Sequence, residues 1–332
     1  MTDLADIIAP RARADFLGAD GIEAQLSQAL NSGALANGWL ITGGAGIGKA
    51  TLAFRLARAL LWRERPQGSA SLAVPQSERV FSLVASGGHP DLFVADRRYD
   101  EKKERYATEI SVETVRDLTH FLSQTAAMGG WRVAIIDMAD DLNRNSANAL
   151  LKVLEEPPPR SAIFVLSAAP GRLLATIRSR CRRIELRPLP DEQVAQFLIR
   201  EEAAKDEEAM SIARVADGRP GYALSLALGD GAKAIAAVDE FWSAAESGAD
   251  VGAIAQQLCG KDAEGVFTHF QAMLTARIAG KAKRLAVCAD ARARDFVDLR
   301  ERIETLFARG EAVNLDKFQL VLAAGRAFKA MR

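Results

Sequence analysis

One glycine-rich stretch decides the fold of this chain: residues 39–51 read WLITGGAGIGKAT. An apolar run leads into the glycines, and a helical pattern of apolar residues opens directly after them at Leu52, Ala53, Leu56 and Leu60. A strand, a loop and a helix in this order are the context that a P-loop requires. The glycines let successive backbone N–H groups curl around phosphate oxygens with no Cβ in the way. The stretch therefore predicts a phosphate-binding loop between a buried strand and a helix.

The residues that follow the glycines fit the pattern only in part. Lys49 is expected to reach the β- and γ-phosphates of a nucleotide, and the helix N-terminus adds its dipole there. The next position should carry Ser or Thr, whose hydroxyl binds Mg²⁺, but Ala50 has no hydroxyl. Thr51 lies about 100° further round the helix and should not substitute for it. We therefore expect little hydrolysis here; the alternative is a glycine-rich turn that kept its shape and lost its ligand.

Composition sets the broad class of the protein. The 332 residues suffice for two or three domains, and 43 basic residues balance 43 acidic ones, so nothing global indicates a nucleic-acid or membrane binder. Three widely spaced cysteines argue against a disulfide scaffold and for a reducing compartment. The N-terminus lacks the signature of a signal peptide, and no apolar run approaches about 20 residues. These features predict a cytoplasmic protein with no membrane contact.

A second informative strand is predicted at residues 131–137, which read WRVAIID. Its apolar run suits a strand buried on both faces of a parallel sheet. Asp137 stands at the carboxyl end, where a Walker B carboxylate would hold Mg²⁺. The next residue is usually a glutamate that polarises water in hydrolysing enzymes, and here it is Met138, which moves no proton. Asp140 and Asp141 are interpreted as charges at the head of the following helix.

Further strands and helices complete an α/β pattern. Buried strands are predicted at residues 163–166, which end in Ser167, and at 184–186, before a break at Pro188-Leu189-Pro190. Alternating buried strands and helices, with a phosphate loop after the first, predict a doubly wound α/β domain. After Pro190 the sequence shows helical patterns only, which predicts helical modules used for packing.

The most specific motif lies in residues 137–158, DMADDLNRNSANALLKVLEEPP. Its Asn-Ala-Leu-Leu-Lys-x-Leu-Glu-Glu-Pro-Pro run strongly resembles the clamp-loader AAA+ family. Three further motifs strengthen the resemblance: the P-loop, Ser179-Arg180-Cys181 and His89-Pro90-Asp91. The resemblance covers about residues 8–225 and implies a P-loop AAA+ domain with a parallel sheet, a small helical lid domain and a C-terminal all-α oligomerisation (collar) domain. We place these domains at residues 1–187, 188–232 and 233–332.

Departures from the family pattern indicate a non-motor subunit. Motor subunits keep Thr after the P-loop lysine and Glu after the Walker B aspartate, where this chain has Ala50 and Met138. Their sensor-2 arginine falls here on Gly221, and Arg219 is close but out of register. The resemblance thus implies a stator-like subunit of the DNA polymerase III clamp loader, with little or no ATPase of its own. Such a chain belongs to the polymerase holoenzyme by complex membership.

The resemblance also implies a catalytic role for Arg180 inside a neighbour. In a ring of related subunits this residue would project into the next subunit's nucleotide site as an arginine finger acting in trans. The implied partners are the motor subunits and the other accessory subunit, with the sliding clamp and primer-template DNA reached through the complex. From composition alone, Arg180 is a surface charge in a basic run with Arg178, Arg182 and Arg183.

Cofactor expectations follow from the same motifs. ATP or ADP would bind weakly or structurally, with Mg²⁺ only alongside the nucleotide. The family often carries a four-cysteine zinc module after the P-loop helix, but residues 61–88 contain no cysteine, so no zinc or other resident metal is expected. What holds that segment together is not evident from the sequence. The residues predicted to bind nucleotide are Gly43, Gly44, Gly46, Gly48, Lys49, Ala50, Thr51, Asp137 and Ser167.

Two other functions stay open at this point. The chain could be a working ATPase, either the clamp-loader motor itself or an unrelated P-loop enzyme, although Ala50, Met138 and Gly221 count against that reading. A stand-alone DNA-binding protein is the weaker alternative, because zero net charge supplies no phosphate-tracking surface.

Overall fold

A computed structural model describes residues 8–18, 20–33, 35–66, 68–97, 99–100, 105–260, 263–313 and 315–331. Its contacts divide the chain into two compact units. One unit comprises Asp6–Pro190 with Asp217–Tyr222, and the other comprises Asp191–Ala216 with Ala223–Arg332. The predicted domain boundaries at 187/188 and 232/233 stay predictions, because this division by contacts does not test them.

A five-stranded sheet forms the centre of the first unit. Its strands are β1 (Gly38–Thr42), β2 (Leu92–Ala95), β5 (Arg132–Ile136), β6 (Ser161–Ser167) and β7 (Arg182–Glu185), and a separate hairpin pairs β3 (Tyr99–Asp100) with β4 (Arg105–Tyr106). The strands of the sheet are all parallel, in the order β2-β5-β6-β1-β7. The parallel α/β fold predicted from the sequence is thereby confirmed.

Helices cover both faces of this sheet. They are α1 (Asp20–Asn31), α2 (Lys49–Leu61), α3 (Arg79–Ser86), α4 (Val112–Ser123), α5 (Arg144–Glu155) and α6 (Ala175–Arg180). Side chains of β1 alternate between the two layers: Trp39 and Ile41 join the core with α1, α2 and α3, while Leu40 joins the core with α4, α5 and α6. The continuous apolar strands follow from this double coverage.

Helix α6 begins and ends later in the chain than the sequence pattern predicts. The sequence pattern predicts a short helix over residues 171–177, whereas the structure has a 3-10 turn at Pro170–Arg172 followed by a helix from Ala175 to Arg180. The Arg178 guanidinium donates to the carbonyl oxygens of Pro170 and Leu173, which ties the last helical turn to the preceding segment. Arg180 therefore lies at a helix end and not in a loop.

An arginine organises the segment after α2, where the family often has its zinc module. The Arg65 guanidinium donates to the side chains of Ser27 and Asn31 on α1 and to the carbonyl oxygens of Ser69 and Ser71. Ser27 Oγ and Asn31 Nδ2 also donate to the Ser69 carbonyl. The apolar residues of the segment that enter the core are Leu72 and Val74. Hydrogen bonds and burial thus fix a segment whose sequence offers no cysteine ligand.

The His-Pro-Asp turn has a structural role of the same kind. The Asp91 carboxylate is 1% exposed and accepts hydrogen bonds from the backbone N–H groups of Ala127 and Met128, at 2.6 and 2.8 Å. His89 Nδ1 accepts the Asp91 N–H, and burial lowers the pKa of this histidine. The turn therefore fixes the loop that precedes β5, the strand that leads directly to Asp137.

Helices alone form the described part of the second unit. They are α7 (Asp191–Arg200), α8 (Asp206–Ala216), α9 (Pro220–Leu228, which begins in the first unit), α10 (Gly231–Ser247), α11 (Gly252–Gln257), α12 (Glu264–Val287), α13 (Ala293–Ala312) and α14 (Lys317–Lys329). Phe241 packs edge-on against Phe270 and Phe328, and Trp242 packs against Phe296 and Phe328. Among the helices that the structure describes, none is long and apolar enough to cross a membrane.

Replacing Arg65 with alanine should destabilise the first unit. The variant leaves Ser27, Asn31 and two backbone carbonyls without their shared donor, so we expect the free energy of unfolding to fall by about 1–3 kcal/mol. Urea denaturation followed by circular dichroism measures the loss. Arg79→Ala, an exposed arginine in the same stretch, should change it by less than about 0.5 kcal/mol. Equal midpoints for the two variants would contradict the role of Arg65.

Candidate functional site

The predicted phosphate loop lies at the carboxyl end of β1, between β6 and β7. Helix α2 begins at Lys49, directly after the last glycine of the loop. In open parallel sheets, ligands bind in the crevice beyond the carboxyl ends of the strands. The sheet brings Asp137, at the end of β5, and Ser167, the last residue of β6, to the same edge. The predicted nucleotide residues therefore converge on one edge of the sheet.

Lys49 is bonded to the loop itself. Its Nζ donates to the carbonyl oxygens of Gly43 and Gly44, at 2.8 and 3.0 Å, and the residue is 7% exposed. Burial lowers the pKa of Lys49, while the charges of Asp137 and Asp140 raise it. An ammonium group has three N–H donors, so two are engaged by the loop and a phosphate would compete for them. The cradle residues fit an anion, which would share the lysine with the carbonyl oxygens of Gly43 and Gly44.

The position that should supply a Mg²⁺ ligand is apolar. Ala50 packs against the core on the α2 face of the sheet, and the neighbouring Thr51 is 9% exposed. A hard cation such as Mg²⁺ requires oxygen ligands. The donor set at the start of α2 therefore fits a phosphate better than it fits a metal–nucleotide complex.

Burial and the neighbouring charges act on the pKa of Asp137 in opposite directions. Burial raises its pKa, the Lys49 charge lowers it, and the Asp96 and Asp141 carboxylates raise it again. The following residue, Met138, has a left-handed backbone with φ of 61° and a side chain that is 37% exposed. A thioether at this position transfers no proton. The edge therefore carries a carboxylate at the position predicted for Walker B, followed by a residue that cannot act as a general base.

Asp140 does not serve mainly as a helix charge, which corrects the interpretation made from the sequence. Its carboxylate accepts a hydrogen bond from Ser167 Oγ at 2.6 Å and another from the Ala168 N–H at 2.6 Å. Asp140 lies inside a 3-10 turn, Ala139–Asp141, and this turn directs its carboxylate towards the end of β6. The Ser167 hydroxyl is thus donated to Asp140. A phosphate that used this donor would have to displace the carboxylate.

The segment Asp217–Tyr222 packs directly against the P-loop. The Gly221 N–H donates to the Gly46 carbonyl at 2.8 Å. Gly46 has φ of 77°, and a Cβ there would lie 2.4 Å from the Tyr222 nitrogen. A Cβ on Gly221 would lie 2.9 Å from the Gly46 carbonyl oxygen. Both glycines are therefore required for a backbone-to-backbone contact, so a side chain at position 221, such as the sensor-2 arginine of the motor subunits, would disrupt it.

Arg180 lies at the opposite edge of the sheet from this P-loop. The strands β1 and β7 run parallel with Trp39 opposite Arg182, so Arg180 precedes β7 at the amino edge whereas the loop follows β1 at the carboxyl edge. The five residues of β1 span about 16 Å at about 3.3 Å per residue. Arg180 Nη1 donates to the Thr176 carbonyl, and Nη2 pairs with Glu155 Oε1 at 2.6 Å. The side chain is 34% exposed and cannot reach its own P-loop.

Cys181 beside it is a core residue. It is 8% exposed and packs with Leu154 and Ile177, and burial raises the pKa of its thiol to about 11. A thiol that stays protonated at neutral pH is a poor nucleophile. The Ser-Arg-Cys motif therefore anchors its arginine with a buried sulfur.

A second polar feature is a groove of about 690 Å³ between α4 and α5. Two cations, Arg116 and Lys152, line it, and neither has an ion-pair partner among the described residues. The other polar residues that line the groove are Thr119, His120, Ser123, Asn145 and Asn148. Cationic and amide groups in one groove suit a phosphate backbone.

Sequence reasoning missed the contacts made by Asp140, Glu155 and Tyr222. Each of them joins residues that are far apart in the chain, and no local pattern signals such a pairing. Glu155 lies inside the quoted Leu-Glu-Glu-Pro-Pro run, so the motif contained the residue without indicating its partner. The pairing of Glu155 with Arg180 depends on the position of the end of α6, which carries the arginine.

Asp137→Asn should stabilise the protein at neutral pH. The raised pKa of Asp137 means that wild type loses stability as the pH rises through that value, whereas asparagine stays neutral. The variant should therefore have the higher melting temperature at pH 7, and the difference should vanish below about pH 4, where the aspartate is protonated in both states.

Asp140→Asn is the matched comparison, and it should lower the melting temperature at pH 7. Its carboxylate accepts bonds from Ser167 and Ala168 on two different oxygens, and an amide offers only one acceptor oxygen. Thermal denaturation of both variants across this pH range tests the pair. A lower melting temperature for Asp137→Asn than for wild type at pH 7 would contradict the assignment.

The chain is similar to known proteins in both sequence and structure. The family model described as "DNA polymerase III, delta subunit" matches residues 18–190. The chain is 37% identical over 185 residues to the DNA polymerase III subunit delta' of Escherichia coli, covering 56% of this chain and 52% of that protein. It is 32% identical over 232 residues to subunit tau of the same organism, covering 67% of this chain and 34% of that protein. The chain thus matches about half the length of the delta' subunit.

A solved structure supports the fold. The gamma-subunit-related protein of DNA polymerase III from Thermotoga maritima superimposes with a TM-score of 0.50 at 16% identity, covering 92% of this chain and 100% of that chain. These matches confirm the resemblance to the clamp-loader family and relate the chain to the delta' subunits within it. The family model covers more than half of the chain, and the chain belongs to the DNA polymerase III delta-subunit family.

Proposed function

We propose that this chain is a non-motor, stator-like subunit of the DNA polymerase III clamp loader. It would work in the cytoplasm beside the motor subunits and the other accessory subunit, and it would meet the sliding clamp and primer-template DNA through the complex. Relatives named delta' and tau support membership of this assembly. Ala50 and Met138 support the non-motor role, because neither can perform the step that its counterpart performs in a motor.

The position of Arg180 carries the proposal. A guanidinium at the amino edge of the sheet lies too far from its own P-loop to assist chemistry there, so any phosphate it touches belongs to another molecule. In a ring of related subunits, that phosphate is the γ-phosphate of the neighbour's ATP. Arg180 would stabilise the charge that spreads over this group during transfer, an effect worth about 10³–10⁵ in rate in other P-loop systems.

The chain's own P-loop would then serve structure more than catalysis. ATP or ADP would bind weakly or structurally, through the backbone amides around Gly44, Gly46 and Gly48 and through Lys49, with Mg²⁺ only alongside the nucleotide. The bonds from Lys49 to the loop carbonyls and from Gly221 to Gly46 support weak binding, since a nucleotide must compete with them. We propose no zinc, because Arg65 performs the joining role that a metal would have.

A working ATPase is the second candidate, and the P-loop with Lys49 is the observation in its favour. It requires a Mg²⁺ hydroxyl and a general base that Ala50 and Met138 do not supply. Hydrolysis by the purified chain that is abolished by Lys49→Ala would revive it. We expect no such activity.

Arg180→Ala should lower ATP turnover by the rebuilt clamp loader. The experiment measures hydrolysis stimulated by DNA and clamp in a loader assembled with wild-type or variant chain, at equal assembly judged by gel filtration. Loss of the finger should reduce turnover by about tenfold or more. Arg183→Ala, an exposed arginine three residues along, should leave turnover within about twofold of wild type. Unchanged turnover with Arg180→Ala would refute the finger role.

Removal of the groove cations should weaken DNA contact by the loader. Each of Arg116→Ala and Lys152→Ala removes one cation that can neutralise a phosphate, so the salt dependence of DNA binding by the assembled loader should become shallower by about one unit of slope. Fluorescence anisotropy with labelled primer-template at several salt concentrations measures it. Arg160→Ala, which lies outside the groove, is the control. If the salt dependence of DNA binding is unchanged for both groove variants, the groove does not contact DNA.

A further inference from the structure

The ion pair between Arg180 and Glu155 joins two helix ends. Glu155 is the last residue of α5 and Arg180 is the last residue of α6, and Arg180 Nη2 lies 2.6 Å from Glu155 Oε1. The two side chains are 34% and 47% exposed. The pair therefore lies at the surface, where a neighbouring molecule can reach the guanidinium.

A rigid frame holds the two helix ends in place. Leu154 and Cys181, each the immediate neighbour of one partner, are 7% and 8% exposed and belong to the same core. Gly38 at the start of β1 packs against this corner: a Cβ there would lie 3.2 Å from Leu154 Cδ2 and 3.3 Å from the Arg180 carbonyl oxygen. The backbones that carry the two charges are thus fixed, and only the side chains have freedom.

The placement of Glu155 is unfavourable for its own helix. A carboxylate in the last turn meets the negative end of the helix dipole, whereas a cation such as Arg180 is favoured at that position. A partly exposed ion pair contributes little to folding stability. Helix stability therefore does not explain a glutamate here, and its effect on the arginine is the better account.

The ion pair orients the guanidinium without consuming it. Arginine has five N–H donors in a planar fork. One from Nη1 goes to the Thr176 carbonyl at 3.0 Å, and Nη2 is held against Glu155. Among the described residues the guanidinium has no other hydrogen-bond partner, so its other donors remain available to a phosphate. The long side chain loses its rotamer freedom before the phosphate arrives, which favours catalysis through preorganisation.

We propose that Glu155 is a positioning residue that sets the orientation of the Arg180 guanidinium for the neighbouring subunit's nucleotide. The inference rests on the proposed function of Arg180 and adds a second residue to it. Glu155 touches no reacting atom, and it acts only through the arginine.

A double-mutant cycle in the rebuilt clamp loader tests the proposal. ATP turnover is measured with the wild-type chain, Glu155→Ala, Arg180→Ala and the double variant, with assembly checked by gel filtration. We expect Glu155→Ala to lower kcat about fivefold while KM for ATP stays within about twofold, because orientation affects the transition state more than binding. In the Arg180→Ala background the same change should have no further effect. Glu155→Gln, which keeps an acceptor oxygen but no charge, should fall between wild type and Glu155→Ala.

Glu156→Ala is the matched control, since this adjacent glutamate is exposed and should leave turnover unchanged. A purely structural role for Glu155 would lower turnover equally in both arginine backgrounds, and that result would overturn the inference. Turnover with Glu155→Ala equal to that with Glu156→Ala would overturn it as well. In both cases a loss with Arg180→Ala would leave the proposed function standing. No loss with Arg180→Ala would refute the finger role, and the positioning role with it.

Discussion

The burial of β1 between β6 and β7 is the constraint on which the rest of the first unit depends. This strand is buried along its whole length and contributes side chains to both apolar cores. Because its two neighbours run parallel to it, its carboxyl end opens into the P-loop and its amino end meets the ends of α5 and α6. A single strand thus separates the P-loop from Arg180, and the proposed function assigns these two features to different nucleotide sites.

The polar groups at the two edges of the sheet differ in whether their hydrogen bonds are satisfied within the chain. At the carboxyl edge the chain satisfies its own groups: Lys49 bonds to loop carbonyls, Ser167 bonds to Asp140, and Gly221 bonds to Gly46. At the amino edge the Arg180 guanidinium keeps donors that no described residue uses. The proposed function, in which the chain contributes to a neighbour's nucleotide site and not to its own, predicts this asymmetry.

Several features were predictable because they depend on short spacings. The buried strands and the glycine-rich loop before α2 follow from local periodicity and side-chain chemistry, and the structure contains both. The end of α6 and the role of Asp140 were not predictable in this way. Each depends on carbonyl, amide or carboxylate groups that come from other parts of the chain, and such pairs leave no periodic signal. The same reason hid the network around Arg65.

The sequence by itself determined the parallel α/β architecture, the family and the loss of catalytic groups, because side-chain identity alone decides whether a hydroxyl or a general base is present. Ala50 and Met138 lack those groups in any fold. Only the tertiary structure decided which edge of the sheet carries Arg180, that Glu155 faces it, and that Gly46 and Gly221 meet backbone to backbone. Those facts are distances between residues remote in sequence, and the packing of the folded chain sets them.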